Sequence, residues 1–132
     1  ARCAIEGRDI VLHTQGDTRR NYLYLADACT AILTVLTRGA DGEAYNGANE
    51  DTYCSIKDMA DLVASRCAGS AIGVKVELEE KAQEKFGYAP VLRMNLDTSK
   101  LQALGWKPET GLADMYRRMM RSMTEDREGN GR

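Results

Sequence analysis

Asp97-Thr98-Ser99-Lys100-Leu101-Gln102-Ala103-Leu104-Gly105-Trp106-Lys107-Pro108 is the stretch on which the reading of this chain turns. Thr98 can cap a short helical turn carrying Leu101 and Leu104, and Gly105 ends it in the left-handed conformation that glycine tolerates best. Trp106 then supplies a large packing group, and Pro108 prevents the helix from resuming. Downstream, Leu112, Met115, Tyr116, Met119 and Met123 recur at helical spacing and predict a last amphipathic helix against the core. From Thr124 onward the charged sequence predicts a disordered tail, so residues 1–123 form the expected folded lobe and 124–132 the tail.

Upstream of that stretch, strand and helix signals alternate. Ala1 to Glu6 reads as the last turn of a helix ended by Gly7, and the chain starts without methionine, which predicts that something upstream has been removed. Ile10, Val11 and Leu12 form a short apolar run within Asp9–His13, a strand leading into the polar loop of residues 14–20. Tyr22 to Leu25 alternates as a second strand. Asp27 can cap a helix whose Ala28, Ala31, Ile32, Val35 and Leu36 share one face, with Gly39 as its stop. Gly42–Asn46 predicts another short strand. Ser55 followed by Asp58 is a capping pair for a helix from Ile56 to Cys67, with Ile56, Met59, Ala60 and Val63 as its buried stripe. Val74, Val76 and Leu78 alternate with Lys75 and Glu77 as a half-exposed strand, and Glu79–Phe86 reads as a short helix, with a flexible loop as the alternative.

The chain has 132 residues, 43% of them hydrophobic and 29% charged, enough for one globular core and by default one domain. Eighteen basic residues against twenty acidic ones give a net charge of −2, which excludes a broad cationic field for nucleic acid or anionic lipid. No apolar run approaches the roughly 20 residues a membrane helix needs, and the start lacks a signal-peptide layout; a cytoplasmic protein is expected. Cys3, Cys29, Cys54 and Cys67 form no C-x-x-C pair and are read as reduced structural thiols. His13 is the sole imidazole, so neither a metal set nor a catalytic triad is expected.

Three motifs, in order, carry a family likeness. Arg20-Asn21-Tyr22-Leu23-Tyr24-Leu25-Ala26-Asp27 is similar to R-D-[FY]-[IV]-Y-V-x-D, Gly42-Glu43-Ala44-Tyr45-Asn46 to G-E-x-Y-N, and Asp97–Lys100 through Leu104–Pro108 to D-x-S-K…L-G-W-x-P. Together they resemble the C-terminal half of nucleotide-sugar epimerases and dehydratases of the extended short-chain dehydrogenase/reductase superfamily, UDP-glucose 4-epimerases most of all. The fold this implies is an α/β C-terminal lobe with short strands and several helices, lacking the Rossmann dinucleotide-binding half.

The resemblance implies a parent enzyme that uses NAD to take hydride from a nucleoside-diphosphate sugar, a UDP-sugar by preference, and then returns it. This chain would grip the nucleoside diphosphate and bind no NAD itself, since no G-x-G-x-x-G or G-x-x-G-x-x-G loop is present. An epimerase is the first expectation; a dehydratase or reductase, or a non-catalytic nucleotide-binding or interaction module, is the alternative. The implied substrate residues are Arg20, for paired charge-assisted bonds to phosphate, Leu12 and His13 along the nucleotide base, and Arg93 near the diphosphate or ribose. No catalytic residue is expected here. Tyr53 and Lys57 fit Y-x-x-x-K, but Tyr53 precedes the Ser55 cap and so falls outside the helix carrying Lys57. Asn21 in place of Asp, Thr18 in place of Gln, Gly47-Ala48 in place of an apolar-Gly pair and Phe86–Pro90 in place of R-P-G-D depart from the pattern. The expected partners are the missing N-terminal Rossmann half and, through the apolar face it would cover, a second copy of the chain.

Overall fold

The computed structural model describes residues 1–78 and 90–129. The expected helix at Glu79–Phe86 lies outside the described residues. Where one domain was expected, the chain forms two compact units, the first from Ala1–Thr18, Ser55–Leu92 and Ala113–Arg132, the second from Arg19–Cys54 and Arg93–Leu112.

In the first unit, α1 (Arg2–Ile5) ends before Gly7, whose φ of 64° is the left-handed conformation the helix stop requires. β1 (Ile10–Leu12) pairs in parallel with β4 (Val74–Val76), Ile10 opposite Val74 and Leu12 opposite Val76. Asp9 fixes this register: its carboxylate accepts from the Gly73 amide at 2.7 Å and pairs with Lys75 at 2.6 Å.

Helix α3 (Ile56–Arg66) packs against both strands and carries the full capping box, Ser55 Oγ accepting from Asp58 N and Asp58 Oδ2 from Ser55 N. The preceding loop completes its N-terminus: Ile56 N donates to Thr18 O and Lys57 N to Gly16 O. At Gly16, with φ of 73°, a Cβ would lie 3.0 Å from the Lys57 nitrogen, so no larger residue fits without moving that helix end. α5 (Leu112–Gly129) buries Met115 and sets the Tyr116 hydroxyl on Met59 Sδ. It continues through Thr124–Gly129, where a disordered tail was expected.

The second unit holds a three-stranded sheet in the order β3 (Asn49–Ser55), β2 (Arg19–Tyr22), β5 (Arg93–Met94), with helices α2 (Leu25–Arg38) and α4 (Ser99–Gln102). Ala31, Leu101 and Trp106 form its core, with Leu23, Val35, Tyr45 and Leu104 packed on them. Trp106 Nε1 donates to Thr30 Oγ1 at 3.0 Å, which pairs its one polar atom.

Several local expectations change here. Gly42–Asn46 is irregular and is held by side-chain bonds instead of a strand ladder: Tyr45 Oη accepts from Ala40 N, Asn46 Nδ2 donates to Asp97 O, and Lys100 Nζ, from α4, donates to Ala44 O. The strand comes later, at Asn49–Ser55. β2 covers Arg19–Tyr22 rather than Tyr22–Leu25, since Leu25 already begins α2.

Asp27 is not the cap of α2. It lies in the first turn behind Tyr24, is buried, and its Oδ2 accepts from Thr110 N at 2.9 Å and Glu109 N at 3.3 Å. Thr98 holds the cap position of α4, yet its hydroxyl donates to Glu50 Oε1 at 2.6 Å while Asp97 Oδ1 accepts from Ser99 N. On α2, Ala31 is buried and Ala28 and Val35 are half-buried as the expected stripe requires, but Ile32 and Leu36 of that stripe are 67% and 78% exposed, and Leu25 and Leu33 outside it are exposed too.

Candidate functional site

β2, the middle strand of its sheet, carries the first candidate, Arg20. Its local structure is fixed by Thr52, which is buried beside it. Tyr22 N donates to Thr52 Oγ1 at 2.7 Å, and that hydroxyl in turn reaches Tyr22 O at 2.8 Å or Asn49 O at 2.6 Å. Side chains alternate along a strand, so Arg20 and Tyr22 share one face and Arg19 and Asn21 the other. Asn21 uses its face structurally: its Nδ2 donates to Asn95 Oδ1 and its Oδ1 accepts from Leu96 N at 2.7 Å. An aspartate there has no amide hydrogen to give Asn95.

Arg20 is half-buried, and its Nε is screened from solvent without a hydrogen-bond acceptor among the described residues. The same is true of Tyr22 Oη. A buried donor without a partner costs about 1–3 kcal/mol, and more when charged, so two on one strand face call for an acceptor. Burial raises the Tyr22 pKa, as does nearby Cys54, while the Arg20 guanidinium opposes the shift. The phenol is therefore a neutral donor.

Arg93 lies on the neighbouring strand, and the parallel register sets it opposite Arg19, with Met94 opposite Arg20. Arg93 thus shares the Arg19 face, while Arg20 belongs to the other. Leu12 and His13 belong to the first unit. Leu12 ends β1, pairs with Val76, and its carbonyl accepts from Glu77 N at 2.9 Å; His13 follows it, half-buried. Tyr53 is on β3 and Lys57 on α3, so this Y-x-x-x-K does not lie on one helix. Tyr22 was missed by the sequence reading, although its place two residues from Arg20 in an alternating strand is the signal that finds it. Glu50, which accepts from both the amide and the hydroxyl of Thr98, had no such signal.

The described residues do not fit the pyrophosphate cradle of a dinucleotide. Such a cradle needs glycine backbone and open amides where a strand turns into a helix. The junction from β2 to α2 is Leu23-Tyr24, and at the junction from β3 to α3 the amides are taken by Ser55 Oγ and the carbonyls of Gly16 and Thr18. Among the described residues no group of three or more His, Cys, Asp or Glu is placed to hold a metal, and all four cysteines are free thiols. No described helix is long and apolar enough to cross a membrane.

Solved structures share this mixed α/β architecture of short strands and helices. The dTDP-glucose 4,6-dehydratase of Bacillus anthracis in complex with NAD superposes with a TM-score of 0.72 at 18% identity, over 96% of this chain and 38% of that one. The UDP-glucose 4-epimerase of Thermotoga maritima with UDP-glucose gives 0.71 at 18% identity, over 94% and 37%. At these identities the likeness is one of fold, over less than two fifths of each of those structures.

Sequence comparison is narrower. The model of the NAD dependent epimerase/dehydratase family matches residues 1–48. The dTDP-glucose 4,6-dehydratase 1 of Escherichia coli (strain K12) is 33% identical over 113 residues, covering 80% of this chain and 29% of that protein. The chain is thus similar to the NAD-dependent epimerase/dehydratase family over its first 48 residues and to this dehydratase over most of its length, and it spans under a third of the length of this curated relative.

Proposed function

We propose that this chain is the substrate-binding part of an NAD-dependent nucleotide-sugar enzyme, in which Arg20 grips the diphosphate of a nucleoside-diphosphate sugar. The observation that carries the reading is Arg20 itself, a half-buried guanidinium with a screened Nε and no acceptor among the described residues. A phosphate is the group whose geometry a guanidinium fork matches. Holding the diphosphate fixes where the sugar points, an orientation effect with large catalytic weight. Arg93, on the opposite face of the sheet, stands outside the grip made by Arg20, and Leu12 and His13 are the base-side residues of the same reading.

NAD, which accepts and returns the hydride, is assigned to a Rossmann half in a longer protein, because the junctions described here lack a cradle for it. The exposed apolar face of α2 is the surface such a half would cover; uncovered, it favours pairing of two copies. Of the two activities, dehydratase is favoured over epimerase by the names of the relatives matched in sequence, including dTDP-glucose 4,6-dehydratases of Escherichia coli and Mus musculus at 33% identity. A cytoplasmic setting suits the reduced thiols.

Calorimetric titration with UDP, dTDP and the free nucleosides tests the reading. Arg20→Ala is expected to weaken the diphosphates about 10- to 100-fold, the worth of a charged hydrogen-bonding pair, and to leave the nucleosides nearly unchanged. Equal losses for both ligand types would remove Arg20 from the phosphate.

A further inference from the structure

Asn46 is followed directly by Gly47, because Gly47-Ala48 stands where the resembled motif has an apolar residue before its glycine. Both Asn46 and Gly47 are exposed, and the backbone from Glu43 to Ala48 belongs to no helix or strand. We propose that Asn46 is a site of self-modification, its side-chain amide converting through a cyclic imide to aspartate and isoaspartate. The Gly47 nitrogen gives its proton to solvent and attacks Asn46 Cγ; the Cγ–Nδ2 bond breaks and ammonia leaves. Water then adds to one of the two imide carbonyls. Opening at Cγ leaves aspartate, and opening at the main-chain carbonyl routes the backbone through Cγ as isoaspartate. In sum one water is taken up and one ammonia released, with no change of oxidation state.

Three features support the assignment. First, the nucleophile is open: the Gly47 amide donates to no acceptor among the described residues, and glycine has no side chain to crowd the attack. Second, the amide under attack is lightly held. Asn46 is tied only through Nδ2, which donates to Asp97 O at 3.0 Å in an exposed bond. A hydrogen bond of this net strength delays the reaction by about tenfold. Asn21 and Asn49, by contrast, are bonded through both the oxygen and the nitrogen of their amides. Third, the product matters to the fold. A carboxylate at Asn46 has no hydrogen to give Asp97 O, and isoaspartate inserts an extra backbone carbon just before buried Ala48 and Asn49. Those residues lead into β3, whose Thr52 clamps the strand that carries Arg20. The conversion therefore loosens the sheet from one end.

The full 132-residue chain, aged in warm neutral buffer and digested with trypsin, releases residues 39–57 as one peptide for mass spectrometry. Aspartate and isoaspartate are expected at Asn46, formed about tenfold more slowly than in a synthetic peptide of the same residues, with Asn49 intact. Asn130-Gly131 is the other Asn-Gly pair, and it falls outside that peptide. Gly47→Ala should slow the conversion sharply in chain and peptide alike. The variant fits the fold, since a Cβ at Gly47 meets only Leu23 Cδ2, at 3.8 Å. Ageing should lower the urea midpoint of the unsubstituted chain and leave that of Gly47→Ala in place, which separates Asn46 from Asn130. Conversion at Asn46 about a hundredfold slower than in the peptide, or equally fast in the Gly47→Ala chain, overturns the proposal.

Discussion

Replacing Asp27 by serine separates two roles for the residue. As a helix cap, serine would serve as well as aspartate, and the change would be nearly neutral. As the buried clamp seen here, Asp27 must reach across to the backbone at Glu109 and Thr110, which serine is too short to do. The Thr110 bond is 2.9 Å and buried, so its loss strands an amide away from water, worth about 1–3 kcal/mol; the Glu109 bond is longer and less enclosed and adds less. Asp27→Ser and Asp27→Ala should therefore each cost about 2–3 kcal/mol. Asp27→Asn keeps an acceptor oxygen but loses its charge, and should cost about 1 kcal/mol. Urea unfolding with a common m-value measures the differences, and hydrogen exchange localises them, since the Thr110 amide should lose protection first. A serine variant within about 0.5 kcal/mol of the unsubstituted chain, with the Thr110 amide still protected, would refute the clamp.

Ile32→Glu with Leu36→Glu alters side chains that are 67% and 78% exposed, so unfolding free energy should stay within about 0.5 kcal/mol while concentration-dependent association in sedimentation falls. Association that persists unchanged would show that the α2 face is not responsible. For pH, the Thr98 hydroxyl and then its amide hold Glu50 below its ordinary 4.5, and Lys75 and then the Gly73 amide hold Asp9 below 3.8. Carboxylates lowered on folding stabilise above their unfolded pKa and lose that contribution as pH falls through the folded value, so stability should decline on acidification from about pH 4.5. Glu50→Gln should flatten the decline between pH 5 and 3, and an unchanged slope would rule out a share for Glu50.

What could be read in advance depended on where the hydrogen bonds go. Ser55 and Asp58 bond within three residues of each other, and α3 appeared where its capping pair predicted it. Gly7 and Gly105 stop their turns by local backbone geometry, with φ of 64° and 89°, and were equally legible. β3 was not, because Asn-Glu-Asp-Thr-Tyr-Cys-Ser is polar and its buried positions do not alternate. Asp27 and Thr98 look like caps, but their partners lie 83 and 48 residues away in sequence, which no local pattern reveals. The same limit applies to the site. Arg20 stood out by its motif, whereas its separation from Arg93 onto opposite faces follows from a strand register that only pairing discloses.

The chain passes between its two units after Thr18, Cys54, Leu92 and Leu112. Domains joined by one linker can be separated by one cut; these units cannot. Any excision of the Arg20 sheet must sever the backbone at every passage and splice Cys54 to Arg93. A protease nick after Cys54 or Leu92 would leave pieces that still have to find each other to rebuild either one. Folding carries the same burden, because residues early and late in sequence must meet before either unit closes, a topology that slows folding. The interleaving makes the strand that carries Arg20 and Tyr22 inseparable, as a piece of covalent chain, from the capped helix that follows it.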